Sequence, residues 1–259
     1  MNLDLQGKTA LVCGGSEGIG LAAARELASF HARVVLLSRS AAKLKEAVHG
    51  LPFPERHHFC IADLSDIGSL GSAIQSLCAK ERVDILVNNS GGPAPGPALQ
   101  ADVDLYRKAF EQHVVASQLL VQAIAPGMKE RGFGRIINVV SVGAKTPLPN
   151  LGVSNTIRGA VANWAKTLAH ELAPFGITVN NVLPGYIRTG RLLNLMESRA
   201  SKEGISVKQV EDQMKSQIPS GRIGLSEEIG AAIAFLASPA ASYITGINLP
   251  VDGGRTDCL

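Results

Sequence analysis

Short runs of Val, Ile and Leu recur along this chain, at intervals that leave room for a helix between each run and the next. The runs are nearly continuous in apolar residues, which is typical of strands buried on both faces. The pattern therefore predicts an α/β fold, a doubly wound parallel sheet of about seven strands with helices on both faces. We place the strands at residues 9–13, 33–38, 57–61, 85–88, 135–140, 178–183 and 247–251.

A length of 259 residues with 46% apolar and 18% charged content suits a single domain, residues 1–259, with a well-filled core. The formal charge of +3 is scattered along the chain, so we expect neither a nucleic-acid partner nor a membrane partner. The N-terminal residues lack the pattern of a signal peptide, which predicts a cytoplasmic protein. Four irregularly spaced cysteines predict a reduced compartment and no metal site: Cys13, Cys60, Cys78 and Cys258.

The segment CGGSEGIG follows the first predicted strand and runs directly into a helical pattern. Its Gly14, Gly18 and Gly20 have a GxxxGxG spacing. Glycines there allow a tight turn and let a pyrophosphate approach the amides of a helix N-terminus, where the helix dipole favours anions. The segment, which also contains Ser16 and Ile19, therefore predicts a dinucleotide-binding loop.

Further segments extend this pattern: ADL after the third predicted strand, NNSG after the fourth, a serine after the fifth, PGYIRT after the sixth and VDGG at the seventh. Together they resemble the short-chain dehydrogenase/reductase family, in the single-domain branch that includes 3-oxoacyl carrier-protein reductases, over essentially the whole chain. The resemblance implies a Rossmann-type fold and an oxidoreductase activity with a nicotinamide cofactor. It implies these further cofactor-binding residues: Asp63, Leu64, Asn88, Ser90, Gly91, Pro184, Gly185, Ile187 and Thr189.

Two of these segments also have plainer interpretations. Asparagines at the end of a strand, such as Asn88 and Asn89, often only satisfy backbone groups. Pro184 and Gly185 also fit an ordinary turn. Both alternatives stay open from the sequence.

The second predicted strand ends in LLSRS, where NAD enzymes of this type carry an acidic residue that binds the adenosine ribose. Ser38 replaces that acid and Arg39 follows, so a 2′-phosphate would meet a hydroxyl and a guanidinium. We therefore predict NADP(H) in preference to NAD(H). Glu17 in the glycine loop argues against this prediction because its charge lies near the phosphates, and a solvated Arg39 is the alternative.

The family's catalytic positions are the most altered part of the chain. In the family, a tyrosine exchanges the proton, a lysine one helical turn later holds the nicotinamide ribose, a serine polarises the carbonyl and an asparagine supports a relay water. The serine corresponds to Ser141, whereas the tyrosine position falls on Ser154, the lysine position on Arg158 and the asparagine position on His113. Ser154 cannot replace a phenol by ionising, but Arg158 keeps a cation for the ribose hydroxyls.

Three residues are candidates for substitute acid chemistry. His113 has a suitable unperturbed pKa, Tyr186 lies beside the expected nicotinamide site, and Lys145 lies in the loop after Ser141. Each has a plainer alternative, namely helix packing for His113, a pocket wall for Tyr186 and a solvated loop charge for Lys145.

Residues 190–221 break the rhythm of strands and helices with two helical patterns, which fit either a cover over a substrate pocket or ordinary surface helices. One functional hypothesis is an NADP(H)-dependent oxidoreductase that acts on a small carbonyl or alcohol, with acyl thioesters among the candidates. The other is a non-catalytic cofactor-binding or structural subunit that pairs with an active paralogue. The resemblance also implies a homotetramer or dimer assembled through residues 102–131 and 153–174.

Overall fold

The computed structural model describes residues 1–258, so that Leu259, the last residue of the predicted domain, lies outside the described residues. The strands are β1 Thr9–Cys13, β2 Arg33–Ser38, β3 His58–Ile61, β4 Ile85–Asn88, β5 Gly134–Val139, β6 Ile177–Pro184, β7 Ile187–Arg188, β8 Gly224–Leu225 and β9 Asn248–Val251. All except β7 and β8 form one parallel sheet in the order β3-β2-β1-β4-β5-β6-β9. The predicted seven-stranded parallel sheet is confirmed.

Helices cover both faces of this sheet. They are α1 Gly18–Ser29, α2 Ala41–His49, α3 Ile67–Cys78, α4 Val103–Phe110, α5 Ala116–Glu130, α6 Gly152–Leu172, α7 Gly190–Glu203, α8 Val207–Lys215 and α9 Ser226–Ala237. One face packs against α1, α2 and α9, and the other against α3, α5 and α6. The doubly wound α/β architecture is therefore confirmed as well.

Strand β2 shows why the strands are nearly continuous in apolar residues. Val34 and Leu36 contribute to the core on one face, whereas Val35 and Leu37 contribute to the core on the other. Because successive side chains of a strand point to opposite faces, a strand covered on both faces must be apolar at every position.

Strand β3 begins one residue later than predicted. His57, the residue before it, accepts a hydrogen bond from Val34 N–H at Nδ1 (3.0 Å) and contacts the Pro52 carbonyl oxygen through Nε2 (2.7 Å). Its side chain therefore occupies the donor that a backbone carbonyl would otherwise take, and regular pairing starts only at His58.

The two helical patterns of residues 190–221 form α7 and α8, which share a small core of their own: Leu192, Met196, Ala200, Val210, Met214, Ile218 and Ile223. Strands β7 and β8 were not predicted, and their parallel pairing ties the two ends of this segment together. A two-residue strand is too short to leave a periodic signal in the sequence.

The strand order reverses between β1 and β4, which are neighbours in the sheet although two strands separate them along the chain. In open α/β sheets, ligands bind in the crevice outside the carboxyl ends of the strands at such a switch point. The glycine loop follows β1 and the NNSG segment begins at the end of β4, so both reach this crevice. Within residues 1–258, no helix combines the length and apolar character needed to cross a membrane.

Candidate functional site

The glycine loop leaves no room for a side chain at Gly14 or Gly20. Gly14 and Gly18 have φ of +58° and +56°, a region that favours glycine. A Cβ on Gly14 would lie 2.7 Å from Asn89 Nδ2, and a Cβ on Gly20 would overlap the carbonyl oxygen of Gly14. Asn89 donates to the Cys13 carbonyl oxygen at 3.2 Å, so it holds the loop against the end of β4.

Helix α1 begins at Gly18 without a side-chain cap from Glu17, which leaves the amides of its first turn available to a ligand. Beside this terminus, the hydroxyls of Ser38 and Ser16 are 3.1 Å apart. We call the glycine loop, together with the uncapped amides at the start of α1, the glycine cradle. The cradle and the two nearby hydroxyls fit a dinucleotide phosphate chain. Glu17 is paired with Lys43 at 2.7 Å, which offsets the negative charge that argued against a further phosphate.

Arg39 and Asp63 lie together at the ends of β2 and β3. Arg39 Nη1 is 3.7 Å from Asp63 Oδ2, and the arginine side chain is 77% exposed, so the pair is loose and easily rearranged. Burial raises the pKa of Asp63, but hydrogen bonds from the backbone and hydroxyl of Ser65 and the charge of Arg39 outweigh it and leave the pKa below its ordinary value.

Four asparagines form a chain of hydrogen bonds across the carboxyl half of the sheet. Asn88 Nδ2 donates to Asn138 Oδ1 (2.9 Å), Asn138 Nδ2 to Asn181 Oδ1 (2.8 Å), and Asn181 Nδ2 to Asn248 Oδ1 (2.8 Å). We call this the asparagine ladder. It uses the amide nitrogen of Asn88 and leaves Asn88 Oδ1 without a partner among the described residues.

Ser141 and Ser154 lie on either side of the loop that joins β5 to α6. Ser141 precedes a short 3₁₀ turn, Val142–Ala144, and its hydroxyl oxygen accepts from Gly143 N–H at 3.1 Å, so its own O–H stays free to donate. Ser154 lies half-buried in the first turn of α6. Lys145 ends the 3₁₀ turn as a half-buried residue.

His113 lies on an irregular turn of its helix. Residues Glu111–Val115 form a π-helical segment between α4 and α5, a bulge that is frequent at functional sites. The imidazole is only 3% exposed, and its Nδ1 lies 2.7 Å from Ser90 Oγ. Burial, together with the charges of Arg158 and Arg191, lowers the pKa of His113 to about 3, so it is neutral at physiological pH.

Arg158 extends from α6 into the interior. Its side chain is buried, with the residue 8% exposed, and Nη1 donates to the Val139 carbonyl oxygen at 2.9 Å. Burial, and to a smaller extent the charge of Arg191, lowers the pKa of Arg158 to about 10, which still leaves it a cation. No ion pair joins Arg158 to a carboxylate within residues 1–258.

A small cavity of about 20 Å³ is lined by Asn88, His113 and Arg158 together with their neighbours. Three of the residues that line it each have a buried polar atom without a hydrogen-bond partner in the described chain: Asn88 Oδ1, His113 Nε2 and Arg158 Nε. The side chains that line it include no Asp or Glu. An unpartnered buried polar atom is costly, so the three atoms together indicate a bound polar group.

The PGYIRT segment joins β6 to α7. Pro184 ends β6 and is buried, and a Cβ on Gly185 would lie 2.9 Å from Asp252 Cα. Thr189 caps the N-terminus of α7, where its hydroxyl accepts from Leu192 N–H at 3.3 Å. Ile187 is buried in β7.

Tyr186 is held on both sides rather than free in the cleft. Its hydroxyl donates to Gln217 Oε1 at 3.4 Å, and the guanidinium of Arg255 stacks 3.8 Å from the centre of its ring. These contacts favour the interpretation of Tyr186 as a pocket wall. Arg191, which the sequence analysis did not single out, donates to the carbonyl oxygens of Gly92 and Pro93 at 2.9 and 3.1 Å.

The structure brings one group of the predicted residues around a single cavity and leaves the others apart from it. The cavity group comprises Leu64, Asn88, Ser90, His113 and Arg158. Ser141, Lys145, Ser154 and Tyr186 do not line this cavity. Lys43 and Arg191 were missed because each acts on a loop far from it in sequence, and a surface basic residue carries no local signal of such a partner.

Neither the cysteines nor the acidic residues form a metal site in the described part of the chain, where no three His, Cys, Asp or Glu side chains come together to hold an ion. Cys13, Cys60 and Cys78 are free thiols. Burial raises the pKa of Cys13 to about 12, so this thiol is unreactive.

Comparison with known proteins extends this picture over the whole chain. The family model described as enoyl-(acyl carrier protein) reductase matches residues 14–256. NADPH-dependent reductase BacG of Bacillus subtilis (strain 168) is 36% identical over 253 residues, which cover 95% of this chain and 97% of the relative. The 3-oxoacyl-acyl-carrier-protein reductase FabG of Rickettsia bellii (strain RML369-C) is 31% identical, with coverage of 97% and 98%.

Among solved structures, L-sorbose reductase from Gluconobacter frateurii complexed with NADPH and L-sorbose has a TM-score of 0.93 at 30% identity, with 100% of both chains covered. This match over the full length agrees with the fold, with the glycine cradle and with the match to the family model. The chain belongs to the short-chain dehydrogenase/reductase family. Within that family it is an NAD(P)-dependent oxidoreductase.

Proposed function

We propose that this chain is an NADP(H)-dependent oxidoreductase that interconverts a carbonyl and an alcohol through a rebuilt proton-transfer site. In that site Ser154 and Arg158 occupy the positions of the family tyrosine and lysine, and His113 that of the asparagine. The observation that carries the cofactor part of the proposal is the glycine cradle, where a Cβ on Gly14 or Gly20 would collide with its neighbours. A chain that no longer held a dinucleotide would have no need of this cradle.

The preference for NADP(H) rests on the charges around the end of β2. The hydroxyls of Ser38 and Ser16 and the guanidinium of Arg39 offer donors to a 2′-phosphate, and Lys43 offsets the charge of Glu17. Arg39 would exchange its loose contact with Asp63 for a charge-assisted pair with the phosphate. BacG is named as NADPH-dependent, and the sorbose reductase structure contains NADPH, which also supports this preference.

When bound, the nicotinamide supplies the hydride, and the chain must orient the substrate and manage the proton. Ser141 has a free O–H and can donate to the substrate oxygen. Ser154 can add a hydrogen bond, but an alkyl hydroxyl is a far weaker acid than a tyrosine phenol with its pKa near 10. General acid catalysis contributes roughly 10²- to 10⁴-fold to rates, so turnover slower than in relatives that keep the tyrosine is the expected result.

The substrate we propose is a small carbonyl or alcohol compound, with 3-oxoacyl thioesters included because FabG is among the relatives. Residues 190–221 would cover this substrate, since the pairing of β7 with β8 holds both ends of the segment beside Thr189. The proposed assembly is a homodimer or homotetramer.

The test is to titrate the protein with NADPH and with NADH, and then to follow NADPH oxidation with 3-oxoacyl thioesters, ketones and quinones. We expect tighter binding of NADPH and measurable oxidation with at least one carbonyl class. Tighter binding of NADH would refute the cofactor preference. Tight NADPH binding without oxidation of any class would favour the non-catalytic subunit instead.

A further inference from the structure

Ser90 and His113 form a close pair at the switch point, and the direction of their hydrogen bond decides what Ser90 can do. With Ser90 Oγ and His113 Nδ1 2.7 Å apart, either group can be the donor. If Ser90 donates to the imidazole, its O–H is used up. If the imidazole donates to Ser90, the serine O–H is free for another acceptor.

We propose that Arg158 fixes His113 in the tautomer protonated at Nδ1, so that Ser90 turns its O–H outward as a hydrogen-bond donor to the substrate oxygen. The assignment of Ser90 to a substrate oxygen rests on the proposed oxidoreductase function. The assignment of the tautomer does not depend on that function; it rests on the described residues and on one water placed between them.

The cavity can select one tautomer of His113 because its three unpartnered atoms differ in whether they donate or accept a hydrogen bond. Arg158 Nε carries a hydrogen and can only donate, whereas Asn88 Oδ1 can only accept. The asparagine ladder fixes the latter, since the Asn88 amide nitrogen is already bonded to Asn138. His113 Nε2 is the one group of the three that can play either role.

One water molecule in this cavity would satisfy all three atoms. A volume of about 20 Å³ is enough for a single water, and the wall supplies the polar partners it needs. The water would accept from Arg158 Nε–H and donate to Asn88 Oδ1 and His113 Nε2. That arrangement leaves the lone pair of His113 on Nε2 and the hydrogen on Nδ1.

The charge of Arg158 decides between this arrangement and its reverse. The guanidinium faces a cavity whose lining side chains include no carboxylate, so its field is unopposed there. In that field a water turns its oxygen to the cation and its hydrogens away, and the imidazole presents its lone pair instead of an N–H. The lowered pKa of His113 keeps the ring neutral, so that a single tautomer can persist.

The tautomer of His113 affects the crevice through the hydroxyl of Ser90. His113 Nδ1–H donates to Ser90 Oγ, and the serine O–H is directed to another acceptor. Ser90 is half-buried and follows β4 by two residues, at the edge where the strand order reverses. Arg158 and His113 are then positioning residues, and Ser90 is the residue that touches substrate.

The tautomer can be measured without any substrate. Magic-angle-spinning NMR of ¹⁵N-histidine-labelled protein separates protonated from unprotonated ring nitrogens, and His113→Asn identifies the His113 signals by their loss. We expect His113 protonated at Nδ1 in the wild type and in Arg158→Lys, which keeps a donor-only cation. We expect the preference to be lost in Arg158→Met, with Arg158→Gln as the alternative if the methionine variant does not fold. Protonation at Nε2 in the wild type, or an unchanged tautomer in Arg158→Met, overturns the proposal.

The role of Ser90 is measured by turnover. Removing one donor to a developing oxyanion typically lowers kcat by about 10²-fold, so Ser90→Ala should lower kcat by that factor with little change in KM for NADPH. Ser90→Thr should restore most of the activity. The control is Ser72→Ala, an exposed serine of α3 whose hydroxyl donates to the Gly68 carbonyl oxygen.

Two results separate this proposal from the proposed function. Wild-type kcat in Ser90→Ala overturns the donor role while the oxidoreductase activity stands. The second result is that the wild type has His113 protonated at Nδ1 but does not oxidise NADPH with any carbonyl tested. This result refutes both the oxidoreductase activity and the donor role of Ser90, whereas the spectrum still supports the link between Arg158 and His113.

Discussion

Acidification from pH 7.5 to pH 5 should destabilise this protein through His113. The imidazole is 3% exposed, and burial together with the charges of Arg158 and Arg191 lowers its pKa from 6.5 to about 3. Between these two values the unfolded chain binds a proton that the folded chain does not. Stability from this group is therefore complete above about pH 6.5 and is lost as the pH falls towards 3.

The size of the effect follows from the two pKa values. Each pH unit inside the window changes the free energy of unfolding by about 1.4 kcal/mol, so at pH 5 His113 alone costs about 2 kcal/mol of stability. His57 adds to the same trend, because burial lowers its pKa and its Nδ1 must stay unprotonated to accept from Val34.

The assay is equilibrium urea unfolding at pH 7.5, 6.5, 5.5 and 5.0 for the wild type and for His113→Asn at one protein concentration. The variant loses its titrating group, so its stability should fall by about 2 kcal/mol less than that of the wild type over this range. A loss from altered packing shifts the whole curve of the variant and leaves its slope unchanged. If the two proteins lose stability in parallel, the reasoning about His113 is wrong.

Three further outcomes are expected. Asp84 is fully buried and accepts from Thr9 N–H and from Arg82 and Arg131, so Asp84→Ala should lower the free energy of unfolding by about 3–5 kcal/mol in urea titrations. Arg39→Ala should weaken NADPH binding about tenfold and NADH binding less than twofold, measured by fluorescence titration; the matched control is the Arg→Ala change at position 33, at the opposite end of β2. Tyrosine at position 154 together with lysine at 158 should raise kcat with the best carbonyl by at least tenfold, and no gain would show that the pocket has been repurposed.

The sheet could be predicted from the sequence because each strand is buried on both faces. β1, β2 and β4 have the predicted bounds, since glycine, serine or asparagine follows each apolar run directly. β5, β6 and β9 differ from the predicted bounds by one residue at one or both ends, and the start of β3 and the pairing of β7 with β8 depend on contacts with distant parts of the chain. β3 starts late because His57 replaces a backbone acceptor, and the pairing of β7 with β8 needs both ends of the helical segment to meet.

The sequence predicts which positions of the chain contribute to the site, but not the direction in which their side chains point. The helical spacing places Arg158 one turn after Ser154, yet nothing in the spacing indicates that its guanidinium turns inward to the Val139 carbonyl oxygen. The π-helical segment around His113 is equally silent in the sequence, because α4 before it is only eight residues long and has too few turns to reveal a change of helical phase. The partner of His113 could be found only from the folded backbone.

The asparagine ladder makes the polarity of the cavity a property of the whole sheet. An amide that donates on one side must accept on the other, so Asn88, Asn138 and Asn181 can reverse only together. Asn248 closes the chain on the outermost strand, where its side chain is exposed, three strand spacings or about 14 Å from β4. The orientation of the exposed Asn248 amide is therefore coupled to the direction of the buried Asn88 oxygen at the other end of the ladder.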